Sequence, residues 1–133
     1  ETAFAEELYL RPDQLKAMLS CGMYVGSHST THPWLNKVSR EKQEEEIDHS
    51  LSMLKMIGAA TDNWVMCYPS GAYDDSTLDI LRSRNCAIGL TTRPDIANFQ
   101  DDDPLQLPRL DTNDLPKNAV APPNEWTQKV INS

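Results

Sequence analysis

Short β-prone runs alternate with helical segments along this chain, and this alternation restricts the fold more than any other feature of the sequence. The β-prone runs lie at residues 23–27, 63–68 and 87–91. Repeated β-then-α units favour an α/β fold with parallel strands. In folds of this class the functional side chains collect at the carboxyl ends of the strands. The residues that directly follow each run are therefore the first candidates for a site.

Capping residues and apolar periodicity predict the helices that separate these runs. The longest periodic segment begins near the Ser39 cap and ends at Gly58, with a polar start and an apolar stripe on one face. The stripe consists of Ile47, Leu51, Leu54 and Ile57. Further helices are predicted over residues 11–22, after a cap at Asp74 or Asp75, and over residues 125–131.

Length and composition limit the class of protein. A chain of 133 residues with 39% hydrophobic content is the size of one domain and can bury a core. The net charge of −8, with no cluster of Lys and Arg, argues against nucleic acid as a partner. No apolar run approaches the ~20 residues that span a bilayer, so no membrane span is expected. A secretion signal would precede residue 1, and the sequence leaves the compartment open.

The three cysteines, Cys21, Cys67 and Cys86, form no close metal-ligand spacing. We expect buried, reduced core thiols, and one disulfide plus a free thiol is the alternative. A zinc site built on cysteine is the least favoured interpretation, because only one or two thiols would join the histidines.

The histidines His28 and His32 directly follow the first β-prone run. On an extended strand their four-residue separation covers about 13 Å, which is too far for two imidazoles to bind one ion at ~2.1 Å. The chain must therefore bend between them, and Pro33 prevents a central strand from continuing. Neutral imidazoles are standard zinc ligands, and a catalytic zinc needs three protein ligands, of which this pair supplies two. The alternative is that both rings only form hydrogen bonds in a loop.

Two motifs carry a resemblance to a known family: GSHSTTHPWL at residues 26–35 and YPSGAYD at residues 68–74. In sequence, order and spacing they resemble the polysaccharide deacetylases, the NodB-homology group that forms carbohydrate esterase family four. The resemblance covers roughly residues 10–115 and implies an α/β fold, the C-terminal part of a distorted (β/α) barrel. Residues 1–133 would then form a single partial domain, in which residues 116–133 are a Pro-rich C-terminal tail.

In that family a divalent metal, often zinc, is held by an aspartate and two histidines, and it activates water to remove an N-acetyl group from an amino sugar. The resemblance implies that His28 and His32 are these two histidines. It also implies that the backbone N–H of Ser70, after the loop proline, donates to the oxyanion. Sugar contacts would come from Tyr68, Pro69, Gly71 and Tyr73. For the two tyrosines, a half-buried position beside the loop is an alternative of equal weight.

Many relatives place an arginine at the start of the proline motif to orient the catalytic base, and this chain has none there. The segment Leu107-Pro-Arg-Leu-Asp111 resembles a later Pro-Arg segment of another branch of the family. Arg109 is therefore the candidate for holding the base carboxylate, with Asp111 or Asp114 as its partner. An ordinary surface salt bridge of Arg109 is the alternative.

The Asp-Asp-Gly motif, which in the family supplies the metal aspartate and the general base, does not occur in this sequence. No histidine follows His49, which we expect to face solvent, so the family's acid histidine is also missing. We therefore expect an N-terminally truncated piece of a longer enzyme that is inactive by itself. Because a partial barrel exposes strand edges, self-association through those edges is a further expectation.

The resemblance thus predicts a hydrolase fragment whose full-length parent removes N-acetyl groups from a cell-surface or capsular-type polysaccharide. The bond that breaks is a carbon–nitrogen bond outside a peptide. The alternative is a non-catalytic carbohydrate-binding or structural module derived from the same fold. A family member that acts on a small cyclic amide is a third interpretation.

Overall fold

The computed structural model describes residues 8–118 and 120–131. The helices in these ranges are α1 (Pro12–Ser20), α2 (Arg40–Ile57), α3 (Asp75–Ser83) and α4 (Glu125–Ile131). The strands are β1 (Trp64–Cys67) and β2 (Cys86–Leu90). Short 3₁₀ turns lie at Leu35–Lys37, Pro69–Gly71, Pro104–Gln106 and Thr112–Asp114. The four predicted helices and the last two predicted strands are therefore confirmed. Within these ranges, no helix combines the length and the apolar character that crossing a membrane requires.

The sheet is parallel and narrow. Strand β1 pairs with β2 in a register that places Val65 opposite Ile88, with an irregularity at the first pair. Single parallel bridges extend the sheet on both sides, from Ser27 to Met66 and from Leu90 to Leu107. Four chain segments therefore run in the same direction, and their carboxyl ends meet at one edge. This geometry confirms the predicted α/β class and places the residues after each segment side by side.

Helix α2 begins and ends where its capping residues require. The Ser39 side chain accepts a hydrogen bond from the N–H of Lys42, and Gly58 ends the helix in the left-handed region at a φ of 84°. A residue with a Cβ adopts that conformation only with strain, so glycine suits this position. The buried face of α2 is partly polar, because it also includes Gln43, Glu46 and Ser50.

The hydrophobic core lies where β1 packs with helices α2 and α3. Trp64, Met66 and Tyr68 alternate along β1 and its end, and each is almost completely buried. They pack in one cluster with residues of the helices and loops: Leu35, Ile47, Leu78, Ile80, Leu81 and Leu105. The indole N–H of Trp64 donates to the Arg84 carbonyl at 2.8 Å, so its polar atom is satisfied as well.

The first predicted strand, at residues 23–27, is reduced to a single bridge at Ser27. The Ser27 N–H donates to the Val65 carbonyl, and the Cys67 N–H donates to the Ser27 carbonyl, both at 2.9 Å. Upstream of this point the chain is still leaving α1, since the Met23 N–H bonds to the Met18 carbonyl. The prediction of a strand over the whole run is therefore wrong, although its carboxyl end lies where expected.

All three cysteines are free thiols, and their burial differs from the prediction. Cys21 is exposed just after α1, while Cys67 and Cys86 are half-buried. The expectation of three buried thiols is wrong for Cys21. Helix α1 is not buried in the core, since even its apolar residues Leu15, Met18 and Leu19 are only half-buried, and Cys21 at its end is therefore exposed.

Candidate functional site

His28 and His32 lie next to each other at the carboxyl edge of the sheet. Their ring centroids are 4.8 Å apart, and the ring planes meet at 68°. The chain bends between them because Ser29 and His32 both adopt left-handed backbone conformations at a φ of 59°. The predicted bend is therefore confirmed, and both imidazoles are exposed.

A backbone contact defines which nitrogen of His28 faces outward. Its Nδ1 lies 2.7 Å from the carbonyl oxygen of Cys67, at the end of β1. A carbonyl oxygen only accepts, so Nδ1 carries the hydrogen and, in the neutral ring, Nε2 carries the free lone pair. Metal-binding histidines commonly donate one ring N–H to a carbonyl in this way. The neutral His28 ring is thus suited to bind a metal through Nε2.

Glu46 on α2 holds the loop between the two histidines through hydrogen bonds. Its side chain is 1% exposed. Its Oε2 accepts hydrogen bonds from the N–H groups of Thr30 at 3.0 Å and Thr31 at 2.7 Å. Its Oε1 accepts from the Thr31 hydroxyl at 2.7 Å and lies 3.3 Å from the Lys42 ammonium. The middle of the loop, at Thr30 and Thr31, is therefore hydrogen-bonded to α2.

The donors around Glu46 keep it ionised. Burial by itself raises the pKa of the Glu46 carboxyl, but the hydrogen bonds from Thr31 and Thr30 and the ammonium of Lys42 outweigh this effect. The pKa of Glu46 consequently lies below its usual value. Glu46 is not among the site residues that the sequence motifs predict. The sequence feature that indicates its burial is the helical spacing of Gln43, Glu46 and Ser50, which puts all three on the buried face of α2.

The proline loop presents one backbone donor at the same edge. Pro69–Gly71 form a 3₁₀ turn in which Ser70 has a left-handed φ of 53°. The N–H groups of Gly71 and Ala72 donate to the carbonyls of Tyr68 and Pro69. The N–H of the exposed Ser70 has no acceptor among the described residues. It is therefore available to an external acceptor.

Gly71 allows this turn to pack against the segment after β2. Its φ is 67°, and a Cβ at this position would lie 2.0 Å from the Oγ1 of Thr92. Both the backbone conformation and the close approach therefore require glycine. Gly71 shapes the loop, and no side chain extends from it toward a sugar.

Tyr68 and Pro69 support the loop from within the core. Tyr68 is 1% exposed, and its hydroxyl donates to the Leu105 carbonyl at 2.6 Å. Its ring stacks on Tyr73 with centroids 4.4 Å apart. The prediction that Tyr68 and Pro69 contact a sugar is therefore corrected, because neither side chain reaches the surface. Tyr73 is half-buried, as the alternative interpretation had it, and its hydroxyl donates to Gln106 at 3.2 Å.

Arg109 follows the Leu107 bridge and is exposed at the same edge of the sheet. Its Nε donates to the Thr91 carbonyl at 3.0 Å, and no carboxylate of the described residues lies within ion-pair distance. The carboxylates of Asp111 and Asp114 accept backbone N–H groups within their own turn. The N–H of Asn113 and, more weakly, the charge of Arg109 lower the pKa of the Asp111 carboxyl. Arg109 thus acts on Asp111 from beyond ion-pair distance, and the predicted pairing with Asp111 or Asp114 is not formed as an ion pair. Within the described residues, Arg109 forms no ordinary surface salt bridge either.

The donor set fits a divalent metal only in part. In residues 8–118 and 120–131, no group of three or more His, Cys, Asp or Glu side chains is placed to hold one ion. His28 and His32 offer adjacent imidazoles, which suit zinc. His49, on the exposed face of α2, faces solvent as predicted. The described residues thus offer two adjacent imidazoles, one donor fewer than the three protein ligands of a catalytic zinc.

Comparison with known proteins decides the family. The sequence profile of the polysaccharide deacetylases matches residues 2–88, which is more than half of the chain. The chain belongs to the polysaccharide deacetylase family. Both histidines and the proline loop of this deacetylase-family chain lie inside the matched region. Arg109 lies outside it.

Individual relatives agree with this assignment. YxkH of Bacillus subtilis (strain 168), which is named for the same family, is 29% identical over 91 residues. The match covers 68% of this chain and 32% of YxkH. The structure of the Streptococcus pyogenes deacetylase PplD, solved in complex with acetate, superposes with a TM-score of 0.72 at 33% identity. It matches 82% of this chain and 47% of PplD. The chain therefore spans about a third to a half of these relatives.

A second solved structure shows that the fold is not restricted to active enzymes. BA3943 from Bacillus anthracis is described as a pseudoenzyme of carbohydrate esterase family four. It superposes with a TM-score of 0.51 at 19% identity, over 56% of this chain and 26% of that protein. At this identity the likeness shows the fold alone. Membership of the family therefore does not by itself establish catalysis.

Proposed function

We propose that this chain forms part of a metal-dependent deacetylase that removes N-acetyl groups from the amino sugars of a polysaccharide. The observation that carries the proposal is the histidine pair, with ring centroids 4.8 Å apart and the Nδ1 of His28 bonded to Cys67. In the proposal His28 and His32 hold a divalent metal, zinc. Bound zinc would lower the pKa of its water toward 7 and polarise the acetyl carbonyl.

The backbone N–H of Ser70 is proposed as the donor to the oxyanion. Attack of hydroxide on the acetyl carbonyl creates a negatively charged oxygen, and a fixed donor to that oxygen is worth ~3 kcal/mol. Ser70 is exposed, its N–H is not engaged by the described residues, and its loop directly follows β1. The Gly71 contact with Thr92 keeps this loop in place. The donor would therefore be fixed before substrate binds.

The third metal ligand and the general base are assigned to residues outside this sequence. The sequence has no Asp-Asp-Gly motif, and the chain spans only 32% of YxkH and 47% of PplD. The terminal guanidinium nitrogens of Arg109 have no carboxylate within ion-pair distance among the described residues. We therefore assign Arg109 the role of orienting the base carboxylate. Self-association through the exposed sheet edge stays a prediction.

A second candidate function is a non-catalytic carbohydrate-binding or structural module. The incomplete ligand set of the described residues favours it, and BA3943 is an example of a pseudoenzyme with this fold. The two candidates differ in one measurable property. A deacetylase releases acetate in a reaction that needs the metal, whereas a binding module retains the sugar unchanged.

The test measures acetate release from N-acetylated chitooligosaccharides by the 133-residue chain and by the complete gene product that contains it. Three proteins are compared in both forms: wild type, His28→Ala and His49→Ala. His49 is a matched control, because it is also an exposed histidine but lies on α2 away from the pair. We expect chelator-sensitive release by the complete gene product, loss in His28→Ala and no change in His49→Ala.

For the 133-residue chain we expect little or no release, because the proposal places the third ligand and the base outside it and the remaining groups give only residual acceleration. Robust chelator-sensitive turnover by this chain would contradict the assignment of ligand and base to residues outside it. Sugar binding without acetate release by the complete gene product would instead favour the binding module.

A further inference from the structure

Glu46 is a buried ionised side chain that takes no part in the proposed ligand set. Ionisable groups are rarely buried completely unless partners compensate the lost hydration. Apart from Lys42 on its own helix, the described partners of the Glu46 side chain are Thr30 and Thr31, two of the three residues between the histidines. A carboxylate that served only to stabilise α2 would have no reason to collect its donors there.

The hydrogen bonds hold the loop in a defined shape. The left-handed conformation of Ser29 turns the consecutive N–H groups of Thr30 and Thr31 toward one carboxylate oxygen, as in other backbone anion sites. The Thr31 hydroxyl donates to the second carboxylate oxygen. The Thr30 hydroxyl donates to the Glu46 backbone carbonyl at 3.0 Å. Every donor of these two residues is therefore bound to a single position of α2.

We propose that Glu46 is a positioning residue that holds the bend between His28 and His32 and so sets the separation of their imidazoles for a divalent metal. The metal part rests on the proposed function, whereas the positioning of the rings does not. Ligand groups must be held within about 0.5 Å of the productive geometry, and residues behind the ligands provide that restraint. Loss of such a residue typically weakens metal binding by about 10- to 100-fold.

Two control variants separate positioning from general stabilisation. Glu45→Ala removes the neighbouring carboxylate, which also pairs with Lys42 but is exposed and does not contact the loop. Ile47→Val removes one methyl group from a fully buried core position and lowers stability without touching the loop. If Glu46 acts only through stability, Ile47→Val should reproduce its effect.

The first measurement needs no metal. In the metal-free 133-residue chain, nuclear Overhauser effects between the ring protons of His28 and His32 report the short ring separation. We expect the signal in wild type, Glu45→Ala and Ile47→Val, and its loss in Glu46→Ala. Where Glu46→Ala does not fold, Glu46→Gln decides. The glutamine amide has one acceptor oxygen in place of two, and its NH2 group faces the Lys42 ammonium or the donors of the loop. We therefore expect a clearly weaker Overhauser effect between the two rings.

The positioning proposal is overturned if the wild-type chain shows no contact between the rings. It is also overturned if the signal is undiminished in a folded Glu46→Ala, or in Glu46→Gln where the alanine variant does not fold.

The second measurement is zinc affinity, by competition with a chromophoric chelator. We expect Glu46→Ala to weaken binding by about 10- to 100-fold, and the two controls to stay within about twofold of wild type. His28→Ala separates the two proposals. If zinc binding does not depend on His28, the proposed metal site fails and the ring contacts alone test the positioning role. If binding depends on His28 and not on Glu46, the positioning role fails.

Discussion

The Nδ1 atom of His28 lies 2.7 Å from the carbonyl oxygen of Cys67, which joins the histidine loop to the last residue of β1. The same strand continues through Tyr68 into the Pro69–Gly71 turn that presents Ser70. The proposed metal ligand and the proposed oxyanion donor are therefore supported by one rigid segment. A change that shifts the end of β1 should displace both groups together.

His28→Ala should cost far more deacetylase activity than Tyr73→Phe in the complete gene product. The first variant removes a proposed metal ligand, which should collapse both metal affinity and water activation. The second removes one hydrogen bond, from the Tyr73 hydroxyl to Gln106, which is worth ~0.5–1.5 kcal/mol of stability. Initial rates at several zinc concentrations measure the difference. A His28→Ala protein that deacetylates at the wild-type rate in metal-free buffer would rule out the metal mechanism.

Local sequence signals were sufficient to predict the ends of α2 and the bend between the two histidines. Ser39 and Gly58 define the ends of α2 through hydrogen bonds and backbone conformation that are local to each end. The bend between His28 and His32 could be predicted from the reach of four residues and the size of a metal site, without knowledge of the contact with Glu46 that holds it. Where the structure of a segment depends on its own residues, those residues are enough to predict it.

The support of the site could not be predicted in the same way. Glu46 is buried because Thr30 and Thr31, which lie 16 and 15 residues upstream, donate to it. The hydroxyl of Tyr68 donates to the carbonyl of Leu105, which lies 37 residues downstream. The burial of Tyr68 nevertheless had a local signal, since Trp64, Met66 and Tyr68 continue the alternation of a strand toward one face. The alternation therefore predicts a buried Tyr68, although the residue belongs to the proline motif.

The three thiols should differ in their rate of alkylation. Cys21 is exposed and should react first with iodoacetamide. Burial raises the pKa of the half-buried Cys86 thiol to about 11, so about one molecule in a thousand carries the thiolate at pH 8. Peptide mass spectrometry over a time course gives the order, and the same reaction in urea is the control in which all three rates converge. Equal rates for Cys86 and Cys21 in the folded chain would contradict the described burial.

The stabilising effect of Glu46 should disappear at acid pH. The folded state lowers the pKa of this carboxyl below its ordinary value of 4.5. The stability that ionisation contributes is therefore complete above that ordinary value and is lost as pH falls through the lower folded value. We expect the difference in unfolding free energy between wild type and Glu46→Gln to be largest at pH 7 and to shrink below pH ~4.5. Urea titrations at several pH values measure it, with Glu45→Gln as control. A difference that stays constant from neutral to acid pH would contradict the folded-state shift.

Gly71→Ala should destabilise the chain more than Gly58→Ala, although both glycines have a left-handed φ. At Gly58, where φ is 84°, a new Cβ meets nothing within 4 Å, so only backbone strain of about 1 kcal/mol is expected. At Gly71, where φ is 67°, the Cβ also collides with the Oγ1 of Thr92 at 2.0 Å, and such overpacking costs about 1–3 kcal/mol more. Urea denaturation measures both variants. Adding Thr92→Gly to Gly71→Ala removes the colliding atoms and should recover the extra cost, while the backbone strain remains. Equal destabilisation by the two alanine variants would show that the Pro69–Gly71 turn does not rest on Thr92, and the fixed position proposed for the Ser70 donor would then lose its support.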